Sequence, residues 1–77
     1  MLDNILFDVT YIYFDFDPHN HNRYEGCMSV IGRDNAKQYA ARIAEAANVG
    51  SVYVTDAFTG EVIIQFDGYG NVVFEVE

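Results

Sequence analysis

One stretch of this chain carries helical periodicity, and its apolar face is built largely from alanine. Between residues 34 and 47, apolar or small side chains fall at Ala36, Tyr39, Ala40, Ile43, Ala44 and Ala47. That is the i, i+3, i+4, i+7, i+8, i+11 series of a single helical face. Short side chains along that face let a helix lie close to a sheet. Asp34 stands where an N-cap belongs, its carboxylate able to accept a bond from a first-turn amide. Asn48 and Gly50 supply the stop, since both tolerate the left-handed conformation that ends helices. Lys37, Gln38, Arg42 and Glu45 occupy the opposite side.

Everything else reads as strand or turn. Residues 51–56, 61–67 and 71–77 are short apolar runs separated by Gly-containing gaps, the pattern of hairpins. Alternation points Val52 and Val54, then Val62, Ile64 and Phe66, then Val72, Phe74 and Val76 toward the helix. Tyr53, Glu61, Ile63, Gln65, Asp67, Val73, Glu75 and Glu77 then point away. Residues 5–17 make a long first strand whose parity slips. Ile5, Phe7 and Val9 share one phase and Ile12, Phe14 and Phe16 the other, so a bulge near Thr10 is expected. That phase turns Tyr11, Tyr13, Asp15 and Asp17 outward. Residues 18–22 form a loop, and residues 24–31 a second strand. With 77 residues, a chain buries only about 60–65% of its unfolded surface, enough for one sheet and one helix. The expected fold is a single α+β domain over residues 1–77: a four- to five-stranded antiparallel sheet with one helix on one face, in ββαβββ order.

Charge then gives the strands a second property. Twelve acids against four bases leave a net charge of -8. Residues 1–22 hold Asp3, Asp8, Asp15 and Asp17 and no base, and residues 50–77 hold Asp56, Glu61, Asp67, Glu75 and Glu77 and no base. All four bases lie in residues 23–49. Nucleic acid and anionic membranes are therefore disfavoured as direct partners, and basic protein surfaces favoured. The partner-binding candidates are the outward acids Asp15, Asp17, Glu61, Asp67, Glu75 and Glu77, with Tyr11, Tyr13 and Tyr53 among them as anchors. Phe58 and Tyr69, in the hairpin gaps, are expected to fold back over the core edge or, as the less common case, to protrude as contact residues.

Catalytic chemistry finds little support. The stretch Asp15-Phe16-Asp17-Pro18-His19-Asn20-His21 mixes metal-ligand types, but Pro18 and the asparagines argue for a solvated loop, and no further histidine exists to complete a site. No nucleophile–base pairing has a recognisable spacing, and Gly68-Tyr69-Gly70-Asn71 precedes a strand instead of the helix a phosphate loop requires. Cys27 is the only cysteine. It excludes an internal disulfide, fits a reducing compartment, and in its apolar setting reads as a buried, inert thiol. With no secretory leader and no membrane-length apolar run, the expectation is a cytoplasmic, non-enzymatic protein without cofactor or metal.

In size, in its single Cys27, in its one-helix-on-sheet order and in acidic strands holding Glu61, Asp67, Glu75 and Glu77, the chain resembles small phage-encoded inhibitors, including some anti-CRISPR proteins. Such inhibitors often occupy a basic nucleic-acid groove on their target. The resemblance implies a binding protein that blocks a basic surface of a nucleic-acid-handling protein, and it transfers no residue roles. Two other expectations share the same features. One is an immunity or antitoxin-like protein for a basic nuclease. The other is a homo-oligomeric assembly module, the aromatic-rich first strand of residues 11–16 pairing edge to edge in a homodimer.

Overall fold

A computed structural model describes residues 5–15, 19 and 22–76. The chain forms β1 (Leu6–Phe14), β2 (Arg23–Ile31), α1 (Arg33–Ala44), β3 (Val49–Asp56), β4 (Val62–Asp67) and β5 (Val72–Glu75). The five strands make one antiparallel sheet in the order β2-β1-β3-β4-β5, and α1 packs on one face of it. This is the expected α+β fold with ββαβββ order.

The helix sits close because its seam has almost no side chain. Ala36, Ala40 and Ala44 are fully buried against a sheet face of Phe7, Val9, Val52, Val54, Ile64 and Phe66. Tyr39, expected on that seam, is exposed, so the buried face is narrower than the periodicity suggests. The helix also begins and ends earlier than its sequence signals. Gly32 is the N-cap at φ 98°, a conformation that favours glycine, and no side chain caps the helix. Gly32 instead ties the start to the sheet, its N–H donating to the Ile5 carbonyl at 2.9 Å. Asp34 lies in the first turn, where its charge favours the helix N-terminus without capping it. At the other end the chain is drawn into β3. Asn48 Nδ2 donates to the Phe14 carbonyl at 2.9 Å, and the Phe14 N–H donates to the Asn48 carbonyl at 2.8 Å.

β1 is an interior strand. It pairs with β2 without interruption from Leu6↔Ile31 to Phe14↔Arg23, and with β3 from Phe7↔Asp56 to Tyr13↔Val49. The expected bulge near Thr10 is therefore absent. Irregularities fall elsewhere, leaving Gly50 of β3, Ile63 of β4 and Val73 of β5 without an opposite residue. An extra residue shifts the phase of the remainder of its strand. Ile63 and Ile64 are consequently both buried, although Ile63 was expected outside. In β5, Val72 keeps its expected phase opposite Phe66, and beyond Val73 the expected faces reverse. Phe74 pairs with Gln65 on the open side, and Glu75 turns to the helix.

The alanine seam leaves no space for a larger group. Ala40→Leu forces extra methylenes between α1 and the sheet, and chemical denaturation should show a loss of about 1–3 kcal/mol. An unchanged denaturation midpoint would contradict this close packing.

Candidate functional site

With one helix on one face, the other face of the sheet has no covering layer among the described residues. Register assigns its residues: Asp8, Thr10, Ile12 and Phe14 of β1, Arg23, Glu25, Cys27 and Ser29 of β2, Ser51, Tyr53 and Thr55 of β3, Val62, Gln65 and Asp67 of β4, and Phe74 of β5. None of these side chains is buried. Small hydrogen bonds knit the face together: Ser29 Oγ donates to Asp8 Oδ1 at 3.1 Å, and Thr10 Oγ1 to Cys27 Sγ at 3.7 Å. Cys27 is thus an exposed thiol, contrary to its expected burial, because its strand is at the sheet edge and its parity is that of the open side.

Several expected site residues lie elsewhere. Tyr11 and Tyr13 share the parity of Phe7 and Val9, and both pack against the core on the helix side. Tyr11 fits there because Gly26 lies opposite it; a Cβ on that glycine would sit 2.3 Å from the tyrosine ring. Tyr13 stacks on its cross-strand partner Tyr24, with ring centroids 5.4 Å apart and an interplanar angle of 25°. Glu75 faces α1 and pairs with Lys37, while the Arg33 guanidinium donates to the Val76 carbonyl at 2.8 Å. These contacts hold the last strand to the helix and engage two of the four bases within the molecule.

Asp67 has a local task as well. Its Oδ1 accepts from the backbone N–H groups of Tyr69 at 2.8 Å and Asn71 at 2.9 Å. Asp56 acts similarly at the other hairpin, accepting from Phe58 at 2.8 Å and Thr59 at 3.1 Å. Each carboxylate secures a turn and holds an aromatic side chain outward: Phe58 is 83% exposed and Tyr69 90%. Neither folds back over the core. Tyr53 does lie on the open face, Glu61 is exposed where β4 begins, and Asp15 is exposed beyond β1. Asp17 and Glu77 lie outside the described residues.

At the β1 end of the sheet, Tyr13, Phe14, Asp15, Tyr24 and Asn48 line a cavity of about 290 Å³. His19 is exposed, and Pro18, Asn20 and His21 are outside the described residues. Among the described residues no three His, Cys, Asp or Glu side chains converge as a metal site, and no helix is long and apolar enough to cross a membrane. Because both long sides of β1 are paired, residues 11–14 offer no edge to a second copy; the sheet's edges are β2 and β5. No protein-family model, curated protein or solved structure matches the chain.

Sequence reasoning missed Asp8, Glu25, Ile12 and Tyr24. A usable signal was present for β1: unbroken alternation from Phe7 through Tyr13, with the tyrosines counted as core-facing, puts Asp8, Thr10 and Ile12 on the opposite side.

The two amide bonds from Asn71 and Tyr69 hold the Asp67 carboxyl below its ordinary value of 3.8. Because the folded-state pKa is the lower one, this contribution is present above about pH 3.8 and is lost as pH falls through the folded value. Asp67→Asn should therefore lose less stability than the parent between pH 5 and pH 2.5 in urea titrations. Parallel pH profiles for the two proteins would contradict this role.

Proposed function

We propose that this is a non-enzymatic, acidic binding protein that docks its open sheet face on a basic surface of a nucleic-acid-handling protein and blocks that surface. The supporting observation is the uncovered face itself. It carries Asp8 and Glu25, with Asp67 paired at its margin, against one base, Arg23. Ile12 and Tyr53 supply apolar and aromatic area among them. The other three bases are on α1, across the sheet. Three of the four bases thus lie on the helix side, where Asp34 and Glu75 accompany them, and the open face keeps a net negative charge. Such a distribution orients the chain as it approaches a positive partner and raises the rate of encounter.

The protein acts here by occupancy, in the manner of the small acidic phage-encoded inhibitors it resembles. A basic nuclease presents the same chemistry as other nucleic-acid-handling targets, and an immunity role is one form of this docking. Self-association is disfavoured by the same physics, since two copies each bearing -8 repel one another.

The best positions for a test are acids that hold neither a turn nor the helix. A double charge reversal, Asp8→Lys with Glu25→Lys, leaves the core and both hairpins untouched. Partners isolated by affinity capture and then purified should bind nucleic acid in competition with this chain. The double variant should bind them at least about tenfold more weakly, chiefly through a slower association rate. The parent's association rate should also fall with added salt. Full affinity in the double variant, or a rate indifferent to salt, would sink the proposal.

A further inference from the structure

The cavity at the β1 end of the sheet combines features that the open face lacks. Among the described residues it is lined by Tyr13, Phe14, Asp15, Tyr24 and Asn48; the Tyr13 and Tyr24 rings supply the aromatic faces on the helix side, whereas the Phe14 ring lies against Gly50. The two tyrosines are stacked across β1 and β2, so each ring limits the movement of the other. Asn48 is fixed by its paired bonds with the Phe14 backbone. Its Nδ2 is used in that clamp, which leaves Oδ1 as the acceptor. Among the described residues the lining therefore offers tyrosine π faces, a carboxylate and oxygen acceptors, and no lysine or arginine.

Such a lining selects a cation. An aromatic face carries negative potential and attracts a positive group within about 6 Å of the ring centroid. An anion would instead meet Asp15 on a chain of net charge -8. The volume, about 290 Å³, lies at the small end of ligand sites. It suits one amino-acid side chain better than a dinucleotide or other large cofactor. Between the two basic side chains, arginine fits the lining better. Its planar guanidinium stacks on tyrosine while its N–H fork donates sideways to carboxylate and amide oxygens, whereas an ammonium is a compact and strongly hydrated charge.

We infer that this cavity receives an arginine side chain from the basic partner, stacked at the Tyr13–Tyr24 pair and hydrogen-bonded to Asp15. This rests on the docking proposed above and adds a specific anchor to it. The open face contributes attraction over distance. The cavity contributes selection, because a partner with the right charge but no suitably placed arginine gains no stacking.

The test uses the intact chain with labelled tyrosine rings, followed by NMR, and two small probes: arginine capped at both ends and citrulline capped in the same way. Citrulline keeps the length and planarity but removes the charge. Capped arginine should shift the Tyr13 and Tyr24 ring signals saturably, and citrulline should bind at least about tenfold more weakly. Tyr24→Leu and, separately, Asp15→Asn should each weaken the arginine effect, and the melting temperature of each variant verifies its fold. The Asp8→Lys, Glu25→Lys protein should retain saturable shifts at both rings. The inference is overturned if arginine leaves both rings unmoved, if citrulline acts equally, or if Tyr24→Leu responds as the parent does. Any of those results leaves the docking proposal standing, provided the double charge reversal still weakens binding to the purified partner.

Discussion

The close contact between an alanine seam and the sheet is the constraint on which this molecule depends. Ala36, Ala40 and Ala44 bring the backbone of α1 down onto β1 and β3. Valine and isoleucine from the sheet then fill the space that larger helix residues would occupy. Among the described residues α1 is the one helix available to cover the sheet. Once α1 has taken one face, the other is left to water or to a partner. The bare face is thus a direct consequence of how the core is made.

Extra residues in three of the strands adjust what each face presents. Gly50, Ile63 and Val73 have no opposite number in the pairing, and each changes the phase of its strand. Ile63 joins Ile64 in the core, Phe74 moves to the open side, and Glu75 reaches Lys37 on the helix. The result is a division of labour among the acids. Asp56 and Asp67 hold turns and Glu75 fastens the last strand. Asp8 and Glu25 lie on the open face, and Asp15 lines the cavity. The net charge treats all of these carboxylates alike, but the fold gives them separate tasks.

The element order, the helix and the three C-terminal strands were legible in the residues, because period 3.6 and period 2 are strong signals over such runs. Phase was harder to read. Tyr11 and Tyr13 can satisfy either face, since a tyrosine has an apolar body and a polar tip. What decides between them is nonlocal: the bare Gly26 under one ring and Tyr24 beside the other. The early end of α1 has a similar origin, in the tie between Asn48 and Phe14, 34 residues away in sequence. Cys27 looked buried among Met28, Val30 and Ile31 because hydrophobic neighbours do not reveal that a strand lies at an edge. Bulge positions, edge strands and turn carboxylates all depend on pairing partners, which no local window contains.

Cys27 also provides the most direct test of the central claim that the open face is where a partner docks. It is the chain's only cysteine, exposed, and beside Thr10 on that face. Its alkylation rate can be measured with the protein free and then saturated with the purified partner. Docking by the open face predicts rapid alkylation in the free protein and a large slowing in the complex. Equal rates in the two states would contradict the claim and place the contact elsewhere on the molecule.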